Sequence, residues 1–124
     1  MAAEAYLKGA RVSPRKAAVV ASLVRGRSVS DALVILEHTP RRSALLVRKT
    51  VASAKANAEH NHGYKPDSLT ITSISVTPGT RLKRWRPIFH GGANPYQHKT
   101  SNIKVVVDGQ KREVKKPTAK KETK

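Results

Sequence analysis

The chain contains no cysteine, so it can form neither a disulfide framework nor a thiolate metal site. It also lacks an apolar run of the length that crosses a bilayer, and we expect no membrane association. The N-terminal residues show no charged start followed by an apolar core, so no secretory signal is expected. These absences predict a cytoplasmic protein.

Acidic residues are scarce. There are 8 Asp and Glu against 25 Lys and Arg, which gives a formal net charge of +17 on 124 residues. A polyanion offsets the self-repulsion of such a chain by releasing counterions, so nucleic acid is favoured over a small-molecule substrate. The acids are scattered, and the sequence has no nucleophile elbow and no glycine-rich phosphate loop. We therefore expect no enzymatic activity and no cofactor.

Metal binding is also disfavoured. His60 and His62, separated by one residue at the end of a predicted helix, are the best candidate ligands. They lack a third ligand nearby, which a zinc site requires. The pair is interpreted as a polar helix terminus, and no metal site is expected.

The longest acid-free stretch, residues 68–107, carries six cations: Arg81, Lys83, Arg84, Arg86, Lys99 and Lys104. Residues 69–76 and 100–107 have strand-like patterns, and Gly and Pro cluster between them. The pattern predicts a long basic hairpin over about residues 78–100. Arms of about ten residues would reach roughly 35 Å, well beyond a compact body. Because it has no apolar face of its own, the hairpin is expected to gain order from a polyanion.

The remaining pattern predicts three helices and a first strand over residues 5–12. Ser13 and Pro14 form a helix start signal, and the first helix continues to about residue 24. A second, short helix is expected between residues 28 and 39. Thr39 and Pro40 repeat the start signal, which predicts a third helix from Pro40 to about His60.

Together these elements predict an α+β fold, with three helices packed on a small three-stranded antiparallel sheet and a long protruding basic β-hairpin. Residues 1–108 are expected to form a single RNA-binding domain that includes the hairpin. Residues 109–124 are predicted to be a basic tail, disordered until it meets an acidic surface.

Several cations occupy positions that favour contact with phosphate. Arg15 and Lys16 fall in the first turn of the first helix, where the helix dipole disfavours cations unless an anion is close. On the third helix, Arg41, Arg48 and Lys55 recur at intervals of seven. Such a stripe is usually a solvated face. Because few acids are present to pair with it, phosphate contact is favoured here.

Trp85, the only Trp, lies between Arg84 and Arg86. A core role is possible, but its cationic neighbours favour a stacking or wedge contact with RNA. Phe89 and Tyr96 flank the two glycines at the predicted tip, where exposed aromatic side chains favour contact with a partner.

Four strings, in this order, resemble one known family: RVSPRKA (residues 11–17), ASAKANAEHNHG (52–63), GTRLKRWRP (79–87) and KTSNIKVVV (99–107). The chain is similar over about residues 4–108 to the bacterial form of the L-twenty-two family of large-subunit ribosomal proteins. The resemblance implies a structural constituent of the large subunit that binds 23S-type rRNA, supports its assembly and lines the nascent-peptide exit tunnel with its hairpin. It also implies that neighbouring ribosomal proteins and the nascent polypeptide are partners, and that the hairpin borders the macrolide site.

Residue pattern and resemblance together nominate two sets of site residues. The predicted rRNA-binding residues are Arg11, Ser13, Arg15, Lys16, Arg25, Arg27, Arg41, Arg42, Arg48, Lys55, Arg81, Lys83, Arg84, Trp85, Arg86, His98 and Lys99. The predicted tunnel-lining tip comprises Ile88, Phe89, His90, Gly91, Gly92, Ala93 and Asn94.

The tip departs from the family pattern. Two arginines that the family commonly carries are replaced here by Ile88 and Gly92. The path of the hairpin is expected to be kept, since the segment length and flanking motifs are unchanged, and a more apolar tip wall is our hypothesis.

An alternative from another class is an architectural DNA-binding protein that clasps a duplex with the basic ribbon arms of a dimer. It requires self-association, whereas the apolar stripes are already used by a three-helix body. We therefore expect no homo-oligomer.

Overall fold

The computed structural model describes residues 2–110 of the chain. In chain order these residues form β1 (Ala3–Ala10), α1 (Pro14–Val24), α2 (Val29–His38), α3 (Arg42–Asn61), β2 (Thr70–Pro87) and β3 (Ala93–Asp108). The three helices and the three-stranded antiparallel sheet confirm the predicted α+β class. None of the helices in this range is long and apolar enough to cross a membrane.

The sheet has the order β1-β3-β2, with β3 antiparallel to both neighbours. The pairing of β1 with β3 ends at Ser101, whereas β2 stays paired with β3 out to Pro87 and Ala93. The distal stretch is therefore two-stranded, and we call residues 81–99 the ribbon. At about 3.4 Å per residue, its arm from Arg81 to Pro87 is roughly 20 Å long.

Two irregularities meet where the body passes into the ribbon. The register shifts in β2 between Pro78 and Arg81, and in β1 next to Ala10, and both Pro78 and Ala10 pair with Ser101. At Gly79 an added Cβ would come within 2.7 Å of Thr100 Oγ1, so the close approach of the two strands requires glycine. Because bulges bend and twist a strand pair, this junction sets the direction in which the ribbon leaves the body.

The core is built from small and β-branched side chains between the helices and one face of the sheet. The apolar stripe of α3, from Ala44 to Ala58, is buried there. In β2 the register shifts between Ile71 and Ser73, which marks a β-bulge. The shift places Ile71 and Ile74 on the same buried face although they are three residues apart.

The helix starts agree with prediction for α1 and α2 but not for α3. Ser13 Oγ accepts from Lys16 N at 3.3 Å, and Ser28 Oγ caps α2 in the same way. The predicted start of the third helix at Thr39 and Pro40 is wrong, since α3 begins at Arg42. Thr39 instead ends α2: its hydroxyl donates to the Ile35 carbonyl at 2.6 Å and its N–H to the Leu36 carbonyl.

The chain continues in contact with the body just beyond β3. The Gln110 carbonyl accepts from Lys65 N at 2.9 Å, and Gln110 N donates to Ser68 Oγ. Nearby, burial raises the pKa of the Tyr64 hydroxyl, and the Asp108 carboxylate raises it further by its charge and a hydrogen bond. The sequence pattern assigns Gly109 and Gln110 to the tail. The rest of the predicted tail, residues 111–124, lies outside the described residues.

Candidate nucleic-acid interface

A cleft of about 760 Å³ lies between the starts of α1 and α3 and the base of the ribbon. Residues from these three distant segments line it: Arg11, Val12, Ser13, Lys16, Arg41, Arg42, Ser43, Leu82, Gln97, His98, Lys99 and Thr100. Five of the side chains are permanently cationic, and no Asp or Glu lines the cleft. The cleft is therefore suited to an anionic chain.

The backbone adds to this charge. Neither α1 nor α3 has an acidic residue in its first turn, and no side chain caps the free amides at the start of α3. Helix N-termini carry partial positive charge and orient N–H groups outward, which favours phosphate. The cations Lys16 and Arg42, at the same two helix starts, are unfavourable for the free protein and become favourable when a phosphate lies between them.

The cations of the interface are not paired with acidic side chains of the described residues. Across residues 2–110, the one ion pair within 4.0 Å joins Lys104 Nζ to Glu4 Oε1 at 3.5 Å, and neither residue lines the cleft. Exposed Arg and Lys side chains without acidic neighbours break no ion pair when they exchange water for phosphate oxygens, so the exchange costs little free energy. The charge of the cleft and ribbon is thus available to a partner.

The structure brings together seven of the residues predicted to bind rRNA and leaves the others elsewhere. Those in the cleft are Arg11, Ser13, Lys16, Arg41, Arg42, His98 and Lys99. Arg15 is exposed in the first turn of α1, while Arg48 and Lys55 are half-buried further along α3. Their contact with RNA stays a prediction.

Arg25 and Arg27 have structural contacts of their own. Arg25 Nη2 donates to the Ile74 carbonyl of β2 at 2.9 Å, and Arg27 Nε donates to the Leu23 carbonyl at the end of α1. Both bonds fasten the α1–α2 connection, which runs along the edge of β2. Any role of these two arginines in binding RNA would come in addition to that task.

Sequence reasoning missed five residues that line the cleft: Val12, Ser43, Leu82, Gln97 and Thr100. Each of the five adjoins a predicted contact residue in the sequence, which is the one signal that could have nominated them. Their meeting in one cleft follows from the packing of the ribbon base beside the helix starts, which no local pattern reports.

The ribbon has two faces of different chemistry. Strand alternation and the register put Arg84 and Arg86 on one face with Tyr96 and His98. On that face the Arg86 guanidinium lies 5.1 Å from the centre of the Tyr96 ring, and the Tyr96 and His98 rings meet edge to face. The opposite face carries Trp85 directly across from Pro95.

The tip is a tight turn over residues 89–92. Gly92 N donates to the Phe89 carbonyl at 3.2 Å, with His90 at φ 55° and Gly91 at φ 72° between them. Two successive residues at positive φ are typical of the type I′ turn, whose twist matches that of paired strands. His90 adopts a backbone conformation in which Asn or Gly is more common. The Phe89 side chain at this turn is 79% exposed.

The two departures from the family pattern touch each other. A Cβ at Gly92 would come within 3.0 Å of Ile88 Cγ1, and Ile88 N donates to the Gly92 carbonyl at 2.9 Å. The Ile88 side chain thus fills the space beside residue 92, and an arginine could stand at 92 only if Ile88 moved. The two replacements form one apolar unit.

His60 and His62 lie at the C-terminal end of α3. Over the described range, no group of three or more His, Cys, Asp or Glu side chains is placed to hold a metal ion. The His62 ring stacks instead on the Tyr64 ring, with 6.0 Å between centroids.

Comparison with known proteins gives one consistent result. The family described as Ribosomal protein L22p/L17e matches residues 5–108. A relative from Clostridioides difficile, named large ribosomal subunit protein uL22, is 47% identical over 111 residues, which cover 90% of this chain and 100% of that protein. A relative of the same name from Desulforamulus reducens is 46% identical and covers 90% of this chain and 98% of its own length. With the described cleft and ribbon falling inside the matched range, the chain belongs to the ribosomal protein L22p/L17e family.

Proposed function

We propose that this chain binds large-subunit rRNA with its cleft and ribbon, supports the folding of that RNA during assembly, and lines the nascent-peptide exit tunnel with its tip. The coarser statement follows from the family: the chain is a structural constituent of the large subunit of the cytoplasmic ribosome, associated with rRNA and ribosomal proteins, and not an enzyme. Binding of rRNA by the cleft and ribbon, support of its folding, and tunnel lining are the finer part of the proposal.

The observation that carries the proposal is the acid-free cleft. Three segments distant in sequence converge there, and each contributes cations or free helix amides. Phosphate contacts of this kind fix the position of a protein on RNA and release counterions, so binding should be strong at low salt and weak at high salt. Shape is supplied by the ribbon, which is long enough to enter a gap between RNA segments.

The tip is proposed to be the part that meets the nascent polypeptide. Between Pro87 and Lys99 the ribbon carries neither Lys nor Arg, and Ile88 and Phe89 are 37% and 79% exposed. A turn without Lys or Arg and with an exposed aromatic ring would form a more apolar stretch of tunnel wall than an arginine-bearing one. The nascent polypeptide is accordingly the partner assigned to this tip, and the chain acts as a single copy.

Gradient fractionation of a native lysate tests the assignment. The chain is expected to sediment with the large ribosomal subunit at moderate salt and to dissociate only when high salt screens its phosphate contacts. Sedimentation with chromosomal DNA, or as a free dimer, would contradict the proposal and favour the duplex-clasping alternative.

A further inference from the structure

The face of the ribbon opposite Arg84 and Arg86 carries a second recognition feature. Trp85 is 68% exposed, which excludes the core role that its sequence position left open. Pro95 lies directly across from it, and the same face continues with Pro87 across from Ala93. The result is an apolar patch on an arm that is otherwise basic.

This surface is held firmly in place. The residues on either side of Trp85 are paired with β3, Arg84 with Tyr96 and Arg86 with Asn94. The contact between Arg86 and Tyr96 fastens the reverse face. The backbone that carries Trp85 is therefore fixed, and an indole has only two side-chain torsions to lose when a flat partner is placed on it.

The surroundings select the kind of partner. Arg81, Lys83 and Lys99 share the face with Trp85 by strand alternation, and residues 68–107 contain no acid. A ligand that offers a flat ring beside a negative backbone satisfies both features. Single-stranded RNA does so, because each nucleotide pairs a base with a phosphate.

We propose that Trp85 and Pro95 form a platform on which an unpaired nucleobase of the large-subunit rRNA stacks, while the neighbouring cations hold its phosphates. The inference rests on the proposed function. It adds a contact with a nucleobase to the contacts with phosphate. The two kinds of contact differ in how affinity depends on salt. Phosphate contacts weaken as the salt concentration rises, whereas the stacking contact is insensitive to salt.

Because Trp85 is the only Trp of the chain, its fluorescence reports on this platform alone. We expect a large-subunit rRNA transcript to quench the emission, and inorganic polyphosphate, a polyanion without bases, to bind and leave it unchanged. Unchanged emission with bound rRNA, or equal quenching by polyphosphate, would overturn the platform.

The substitution Trp85→Leu, at an exposed position, separates the platform from the proposed function. It should weaken rRNA binding roughly tenfold and leave the slope of log affinity against log salt unaltered, while Trp85→Tyr retains most of the affinity. Wild-type affinity in Trp85→Leu would refute the stacking contact alone. A chain that showed no salt-dependent rRNA binding at all would refute the proposed function as well.

Discussion

Replacing Arg11, Lys16, Arg41 and Arg42 together by glutamine is expected to weaken binding to a large-subunit rRNA transcript about 100- to 1,000-fold at 0.1 M salt. Each lost phosphate contact removes roughly 0.7 to 0.9 from the slope of log affinity against log salt, so the slope should fall by about 3. The four side chains line one cleft and make no ion pair within the described part of the chain. Filter binding across a salt series measures both quantities.

A matched variant controls for net charge. Lys8, Lys49, Lys65 and Lys104 lie outside the cleft, and their replacement by glutamine lowers the charge by the same amount. This variant should keep most of the affinity and lose little of the salt slope, because long-range attraction is screened within about 10 Å at 0.1 M salt. Equal losses in the two variants would show that RNA responds to the overall charge and that the cleft is not a site.

Shortening the ribbon is expected to weaken RNA binding and to leave the stability of the fold nearly unchanged. Arg81 and Lys99 are directly paired, so a two-residue Asn-Gly turn can replace residues 82–98 without disturbing the strands below. The removed arms contribute no residue to the buried core. The free energy of unfolding should therefore change by no more than about 0.5 kcal/mol.

The same deletion removes Lys83, Arg84 and Arg86, and the salt slope for rRNA should fall by roughly 2 to 3. A full-length variant with these three residues changed to glutamine keeps the shape of the ribbon and loses only its charge. It should bind more tightly than the shortened chain, because the aromatic side chains remain. A shortened chain that unfolds at lower denaturant, or that binds rRNA like the wild type, would contradict this description of the ribbon.

Local patterns predicted the elements well where one physical cause dominated. Ser13 caps α1 and Ser28 caps α2, at the positions where the sequence pattern predicted these helices to start. The start of α3 was misplaced because Thr39 can serve either helix, and its bond to the Ile35 carbonyl decides for α2.

The site was predicted only as a set of separate residues, most of them cations. Arg11, Arg42 and Lys99 are far apart in the sequence, and their meeting in one cleft depends on tertiary packing. The double irregularity at Ser101, which aims the ribbon, likewise involves both neighbouring strands at once. The type I′ turn was not anticipated because His90 is an unusual residue at positive φ.

The most direct test of the central claim uses the absence of cysteine, which makes any introduced thiol unique. Asn94→Cys places a photo-crosslinker at the exposed tip, and Glu37→Cys places one on the exposed face of α2 as the matched control. Ribosomes carrying each variant, halted with a labelled nascent chain, are irradiated and the crosslinked products are identified. Crosslinking of the nascent chain from position 94 and not from position 37 is the predicted result. No crosslink from position 94, in subunits that contain the protein, would contradict the claim that the tip lines the tunnel.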